Sequence, residues 1–531
     1  MDIREYYRDG AIRLQMREYM GDALHTRTVR MPFGVYPKPW DEKGTLDAEM
    51  NLPDRKGASM TRSPTDFELF SSKMRAEGLP EVVIGHFKHY YDRLCAGQTG
   101  YIPENGIRPA TSLADFDTLS SRRLSAVGEK KMDRAVIVKL NGGLGTSMGM
   151  QKAKSLLKVK DGLSFLDIIA RQAQSLANGI PVVFMNSFST RADTLAALAA
   201  YPNLNADGIP LDFLQHKVPK VRADSLGPVV HPDNPELEWC PPGHGDIYLA
   251  LSTSGMLDRL IDKGYEYAFI SNSDNLGAVL DPVILGYCIK NRLDFLMEVA
   301  DRTESDKKGG HLARLPSGGF LLREIAQTTR EDMAAFQDIR RHRYFNTNKI
   351  WVRLPALKAV LESKKGLLGL PMIRNRKPMN PREPDSPPVY QLETAMGAAI
   401  TVFASAGAIR VPRTRFTPVK NTNDFLAVRS DGYILTDTYQ LVPNPRRKRG
   451  RILIDLDPAY YRFIDRFESR FPHGAPSLVD CESLRVKGDV RFGSGVCLQG
   501  SVTLRNEDSD PFEIADRRLI QGRAFFPEKR T

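Results

Sequence analysis

The sequence predicts an α/β protein with a mostly parallel sheet, and three observations carry that prediction. A β-branched run, Ala135-Val-Ile-Val138, leads into a loop bearing Gly142, Gly143, Gly145 and Gly149, then Lys152 and Lys154. Downstream, strand-like and helix-like stretches alternate, as they do where helices cover both faces of a parallel sheet. After Val479 the pattern changes: Leu484, Val490, Val496 and Val502 fall six apart, and so do Val486, Phe492, Leu498 and Leu504. Hexad spacing is the signature of short strands stacked in parallel coils around an apolar interior.

The strands read as 135–140, 181–185, 211–215, 267–271 and 295–299, with helices over 165–177 and 191–200. Ser164 and Asp167 form a Ser-x-x-Asp capping pattern at the start of the first helix. Ligands in such sheets lie beyond the carboxyl ends of the strands, so the informative residues follow each strand. The glycine-rich loop suits a nucleoside triphosphate, because glycine lets a large anion approach backbone N–H groups. It is neither Gly-x-x-x-x-Gly-Lys-Ser/Thr nor Gly-x-Gly-x-x-Gly. Gln215 ends a strand, where its amide can serve a base edge or a neighbouring backbone group. Trp239-Cys-Pro-Pro-Gly-His-Gly-Asp-Ile-Tyr248 is stiffened by two prolines, with glycines flanking His244. Asn272 and Asp274 close the strand ending at Ser271; Asp274 reads as a Mg²⁺ ligand or as a turn former.

A chain of 531 residues exceeds one ordinary core. We divide it into a mostly helical appendage over 1–130, a catalytic domain over 131–455 and a tail domain over 456–531. In the appendage, helical patches at 14–19 and 67–74 alternate with loops such as 31–40. A composition of 41% hydrophobic and 26% charged residues is that of a soluble globular protein. The net charge of +11 suits a polyphosphate as well as a nucleic acid. Part of it sits in Arg446-Arg-Lys-Arg-Gly-Arg451, which reads as a solvated loop rather than a localisation signal or nucleic-acid patch. The charged start does not read as a signal peptide. The longest uncharged run, between Glu393 and Arg410, falls short of the roughly 20 residues of a membrane span. The five cysteines share no metal spacing and read as reduced thiols, so a cytoplasmic protein is expected.

Taken together, Leu140-Asn-Gly-Gly-Leu-Gly-Thr-Ser-Met-Gly149, Pro241-Pro-Gly-His-Gly-Asp246 and Ser271-Asn-Ser-Asp-Asn-Leu-Gly-Ala278 resemble the eukaryotic UTP–glucose-1-phosphate uridylyltransferases, or UDP-glucose pyrophosphorylases. Phe345-Asn-Thr-Asn348, Gln391-Leu-Glu-Thr-Ala395 and Val411-Pro-Arg-Thr-Arg-Phe-Thr-Pro-Val-Lys420 extend the likeness in order, from about residue 65 to the end. The resemblance implies a Rossmann-like, GT-A-type mixed sheet, an N-terminal helical layer and a small C-terminal left-handed parallel β-helix. It implies that Leu140, Asn141, Gly142 and Gly143 line the uridine pocket and that Gln215 and Gly243 read the uracil. Lys154 and Lys420 would hold the phosphates as catalytic cations, and Asp274 would bind Mg²⁺. His244, Asn272, Glu324, Asn346 and Asn348 would contact the sugar or its phosphate. Two departures stand out: Gln151-Lys-Ala-Lys154 replaces a common Lys-Gly-Pro-Lys, and His216-Lys217 stand where Ser-Arg is common.

The implied partners are UTP and glucose 1-phosphate, with no nucleic acid or membrane, and with self-association through the β-helix left open. The nucleophile would be a phosphate already ionised near neutral pH, its second pKa being about 6, so no general base is needed. Positioning and cations would do the work, which fits lysines, an aspartate and glycines better than a catalytic triad. A broader UDP-sugar or UDP-N-acetylhexosamine pyrophosphorylase is the alternative within the class. An inactive nucleic-acid-binding or scaffold protein is the alternative outside it.

Overall fold

The computed structural model describes residues 65–526, apart from 120–121, 177–178, 203, 206–207 and 449, and the backbone of 2–8, 11–20 and 23–31. The chain divides after Ser63 into two compact units. In the first, Asp2–Arg8, Ala11–Met20 and Ala23–Met31 pair as an antiparallel meander. The patch 14–19 is therefore strand and not helix. Ile12, Leu14 and Met16 alternate with Arg13, Gln15 and Arg17, a period of two that suits a pleated ribbon. Of the loop expected over 31–40, residues 32–40 lie outside the described residues.

The second unit, residues 64–531, holds the main sheet. Its principal strands are β1 (Ala114–Asp115), β2 (Ala135–Asn141), β3 (Val182–Asn186) and β4 (Asp212–Leu214). They continue with β5 (Tyr267–Asn272), β6 (Phe295–Asp301), β7 (Tyr344–Arg353) and β8 (Ala406–Arg410). Their spatial order is β4-β3-β2-β5-β7-β6-β8-β1. All neighbours run parallel except β7, which is antiparallel to both β5 and β6. All five strands read from the sequence are present. The inserted strand β7 makes the sheet mixed, and the alternating pattern gave no sign of it.

Burial on both faces explains the unbroken apolar runs. Ile137, Phe269 and Trp351 belong to the core on one side; Val136, Val138, Ile270 and Ile350 belong to the core on the other. Ser164 caps the helix Phe165–Ser175 as its spacing implied: Asp167 N–H donates to Ser164 Oγ, and Ser164 N–H donates to Asp167 Oδ2 at 2.8 Å. Helices α1 (Thr65–Ala76) and α2 (Glu81–Cys95) place Phe70, Phe87 and Tyr91 in a cluster with Val218 and Trp239.

The tail strands Leu453–Leu456, Cys481–Lys487, Cys497–Asn506 and Leu519–Phe526 pair side by side in parallel. Val490–Phe492 pairs in parallel with Phe512–Ile514. All eight hexad positions are at most 2% exposed. Leu484 faces Val502 and Val486 faces Leu504, three hexads on. Their core is continuous with Phe165 and Phe425.

The basic run is not merely a solvated loop. Arg447 Nη1 donates to the carbonyls of Leu478, Val479 and Cys481, and Arg451 Nη2 donates to Asp424 Oδ1 at 3.1 Å. Arg447 thereby fastens the tail to the rest of the unit.

Candidate active site

The carboxyl end of β2 is where the predicted residues gather. Asn141 turns its carboxamide inward, donating to Asn186 Oδ1 and Thr194 Oγ1 at 2.8 Å each, and its carbonyl accepts from Thr190 Oγ1. Its part is to hold the loop rather than to offer its side chain. Leu140 O accepts from Ser273 N–H at 3.0 Å, Gly142 O accepts from Ser187 Oγ, and Gly143 O accepts from Lys154 N–H. Gln215, at the end of β4, donates from Nε2 to Gly243 O at 2.9 Å. The strand end and the Pro-Pro-Gly-His-Gly-Asp turn therefore meet. Gly243 takes φ +81°, and a Cβ there would lie 2.5 Å from Thr394 O, so both conformation and space require glycine.

Beside it, His244 accepts the Met396 backbone N–H on Nδ1 at 2.8 Å. That bond needs a bare Nδ1, so the proton resides on Nε2. Burial pushes the imidazole pKa down to about 4, keeping it neutral. His244 thus offers a fixed, uncharged N–H donor.

The cation centre joins distant parts of the chain. Lys154 Nζ donates to Asp274 Oδ2 at 2.7 Å and also to the carbonyl of Val419. Val419 N–H donates to Asp274 O at 3.1 Å, and Thr417 N–H to Asn275 Oδ1 at 2.9 Å. The segment ending in Lys420 is thereby zipped onto the turn after β5, which carries Asn272 and Asp274. The donor set fits a divalent ion in one respect: Asp274 Oδ1 is buried without a hydrogen-bond partner. Among the described residues no three His, Cys, Asp or Glu groups converge, so protein atoms alone form no cage. One carboxylate completed by phosphate oxygens and water is the usual habit of Mg²⁺.

Lys420 Nζ lies 5.5 Å from the centre of the Phe345 ring, at the start of β7. There β7 bulges: Glu298 pairs with Lys349 and Val299 with Asn346, leaving Thr347 and Asn348 between. Asn348 takes φ +53°, a left-handed conformation asparagine tolerates, and its Oδ1 accepts from Asn346 Nδ2 at 2.8 Å. Glu324 lies against Gly310, where a Cβ would come within 2.4 Å of Oε1. Burial raises the Glu324 pKa, opposed by the Asn346 amide and the Lys420 charge. The bulge therefore brings the Asn346 amide to a carboxyl group near an ammonium, with the Asn348 amide bonded to Asn346.

The chain matches the family model for UTP–glucose-1-phosphate uridylyltransferase over residues 84–499. It belongs to that family. It is 39% identical over 476 residues to the UTP–glucose-1-phosphate uridylyltransferase of Solanum tuberosum, covering 87% of this chain and 97% of the relative. The Saccharomyces cerevisiae uridylyltransferase is 38% identical over 402 residues, with 73% and 77% covered. Among solved structures, the UDP-glucose pyrophosphorylase of Leishmania major superposes with a TM-score of 0.81 at 44% identity, covering 87% of this chain and 100% of that one. The UDP-glucose phosphorylase of Trypanosoma brucei gives 0.78 at 44% identity, covering 87% and 99%.

The uridylyltransferase site also rests on residues the motifs did not single out. Glu298, fully buried in β6, accepts from Lys349 Nζ, from Trp351 Nε1 at 2.9 Å and from Arg415 Nε at 3.0 Å. Arg415 also reaches Asp281 Oδ2, so this network lies directly beneath the 271–281 turn. Lys139, buried in β2, donates to Ser271 Oγ and Ala278 O at 2.9 and 3.0 Å. A signal existed: one charged residue sits inside each of three apolar strands, and isolated charges there are rarely buried unless paired.

Proposed function

We infer that the chain joins UTP and glucose 1-phosphate into UDP-glucose and pyrophosphate, reversibly. The observation that carries this reading is the junction of Lys154, Asp274 and the Val419–Lys420 segment, which gathers cations and a metal-type carboxylate beyond the strand ends. A phosphate oxygen of glucose 1-phosphate attacks the α-phosphorus of UTP. The new P–O bond forms as the α–β bridging bond breaks, and pyrophosphate departs from the opposite side. The attacking oxygen is already ionised, so no side chain need remove a proton.

What the protein supplies is position and charge. Gln215 and Gly243 hold the uracil edge, and Leu140 to Gly143 line the uridine. Lys154 and Lys420 offset charge on the phosphates, while the His244 Nε2–H and the Asn272 amide donate to the sugar phosphate. Glu324, Asn346 and Asn348 take the sugar hydroxyls. Mg²⁺ held by Asp274 supplies divalent positive charge to the triphosphate.

A pyrophosphate-release assay with UTP, Mg²⁺ and a panel of sugar 1-phosphates tests the reading. Turnover highest with glucose 1-phosphate supports it, and equal turnover with N-acetylhexosamine 1-phosphates replaces it with the broader activity. Salt-dependent nucleic-acid binding without turnover would overturn it.

We take the tail to be a short left-handed parallel β-helix, supported by its parallel pairing and buried hexads. Its last strand, Leu519–Phe526, lies at a sheet edge, a route for self-association. Among the described residues no helix is long and apolar enough to cross a membrane. All five cysteines are reduced thiols, in keeping with a cytoplasmic setting.

A further inference from the structure

We propose that His216 is a positioning residue for nucleobase choice, clamping the strand end that carries Gln215 to the turn that carries Gly243 and His244. The inference rests on the uridylyl-transfer reading above. His216 N–H donates to Asp246 Oδ2 at 2.8 Å, and its ring Nδ1 lies 2.8 Å from Asp246 Oδ1. The Asp246 side chain is 2% exposed. A carboxylate only accepts, so Nδ1 carries the hydrogen.

The other ring nitrogen, Nε2, lies 2.9 Å from Thr253 Oγ1. Asp246 immediately precedes the helix Ile247–Thr253, and Thr253 is its last residue. The imidazole therefore bridges the two ends of one short helix and cannot swing without losing both contacts. With the bond from Gln215 Nε2 to Gly243 O at 2.9 Å, the contacts to Asp246 join the two base-side segments.

This clamp bears on the base through the Gln215 carboxamide. The Gly243 carbonyl only accepts, so Nε2 faces it and Oε1 faces away. A Cβ built on Gly142 would lie 3.0 Å from that Oε1, which places the oxygen beside the glycine-rich loop. A fixed oxygen accepts from uracil N3–H. Cytosine N3 is itself an acceptor, so the same oxygen would leave two acceptors face to face. An amide free to turn over would serve either base. Holding the two segments together keeps it from turning.

The test uses the full chain as wild type, His216→Ala and His216→Asn. It measures kcat and KM with UTP and with CTP, the KM for glucose 1-phosphate, and the melting temperature. In His216→Ala the ratio of kcat/KM for UTP over CTP should fall about tenfold or more, mainly through the nucleotide KM. The glucose 1-phosphate KM should stay within about twofold. Asparagine at 216 offers an N–H toward Asp246 and should recover most of the ratio. A lower melting temperature with an unchanged ratio would assign His216 a purely structural role and overturn the proposal. Should His216→Ala not fold, Asp246→Asn takes its place, and an unchanged ratio there is equally fatal. A wild type that turns over neither nucleotide defeats the functional reading and this proposal together. A UTP-selective wild type with indifferent variants defeats the proposal alone.

Discussion

The ammonium of Lys154 lies 2.7 Å from the Asp274 carboxylate, although 120 positions separate them in the chain. The lysine thus pairs with the carboxylate to which we assign the divalent ion. Replacing Lys154 with Met should free Asp274. We expect the unliganded protein to bind Mn²⁺ several-fold more tightly by titration calorimetry, while kcat falls about 10²-fold because a phosphate contact is lost. Unchanged metal affinity would show that the two cations do not compete.

Lys420 approaches the same centre from the far side of the sequence, with its ammonium over Phe345. Lys420→Ala should lower kcat by about 10² to 10³, with a much smaller rise in the KM for UTP. Steady-state kinetics in both directions check this. Turnover near that of the unmodified enzyme would remove Lys420 from the mechanism.

Glu324 provides a pH signature. Burial raises its pKa, so the carboxyl takes up a proton earlier on acidification than an ordinary glutamate. In the proposed sugar contact the protonated form accepts hydroxyls poorly, so the KM for glucose 1-phosphate should rise as pH falls through that value. Glu324→Gln should show a higher KM at neutral pH without this inflection, keeping only the titration of the substrate phosphate, which both proteins share.

The buried Glu298 cluster sets stability. Burial by itself would raise the Glu298 pKa, but Arg415 and Lys349 hold it down at about 2. Glu298→Gln leaves two cations short of their anion and should cost about 3–5 kcal/mol by urea denaturation. Because this pKa is depressed, the contribution of the cluster is complete above the ordinary glutamate range and fades as pH drops toward about 2.

Histidines make acid sensitivity begin earlier. Burial lowers His86 and His244 to about 4, against 6.5 for the free side chain. Between those values the unfolded chain binds protons that the native one refuses, so stability falls as pH drops from about 6.5 to about 4. Melting temperatures across this window should decline, and His244→Gln should shallow the slope.

The local chemistry of this chain could be read without its fold. The capping pair Ser164 and Asp167, the five parallel strands and the hexad interior from Leu484 to Leu504 all follow from contacts between near neighbours or from one repeating period. Such patterns leave a trace in any short window. Where the chain misled, two periods competed over few residues, as at 14–19, which is strand.

By itself, then, the sequence determined the α/β character, the repeating tail and the residue types that phosphate chemistry demands. Tertiary structure alone decided that β7 enters the sheet antiparallel, that its bulge brings Asn346 to Glu324 with Asn348 bonded to Asn346, and that Lys154 meets Asp274 and Val419. Strand order and side-chain convergence depend on which distant segments share a core. That choice is made by the packing of the whole unit and leaves no period in the local sequence.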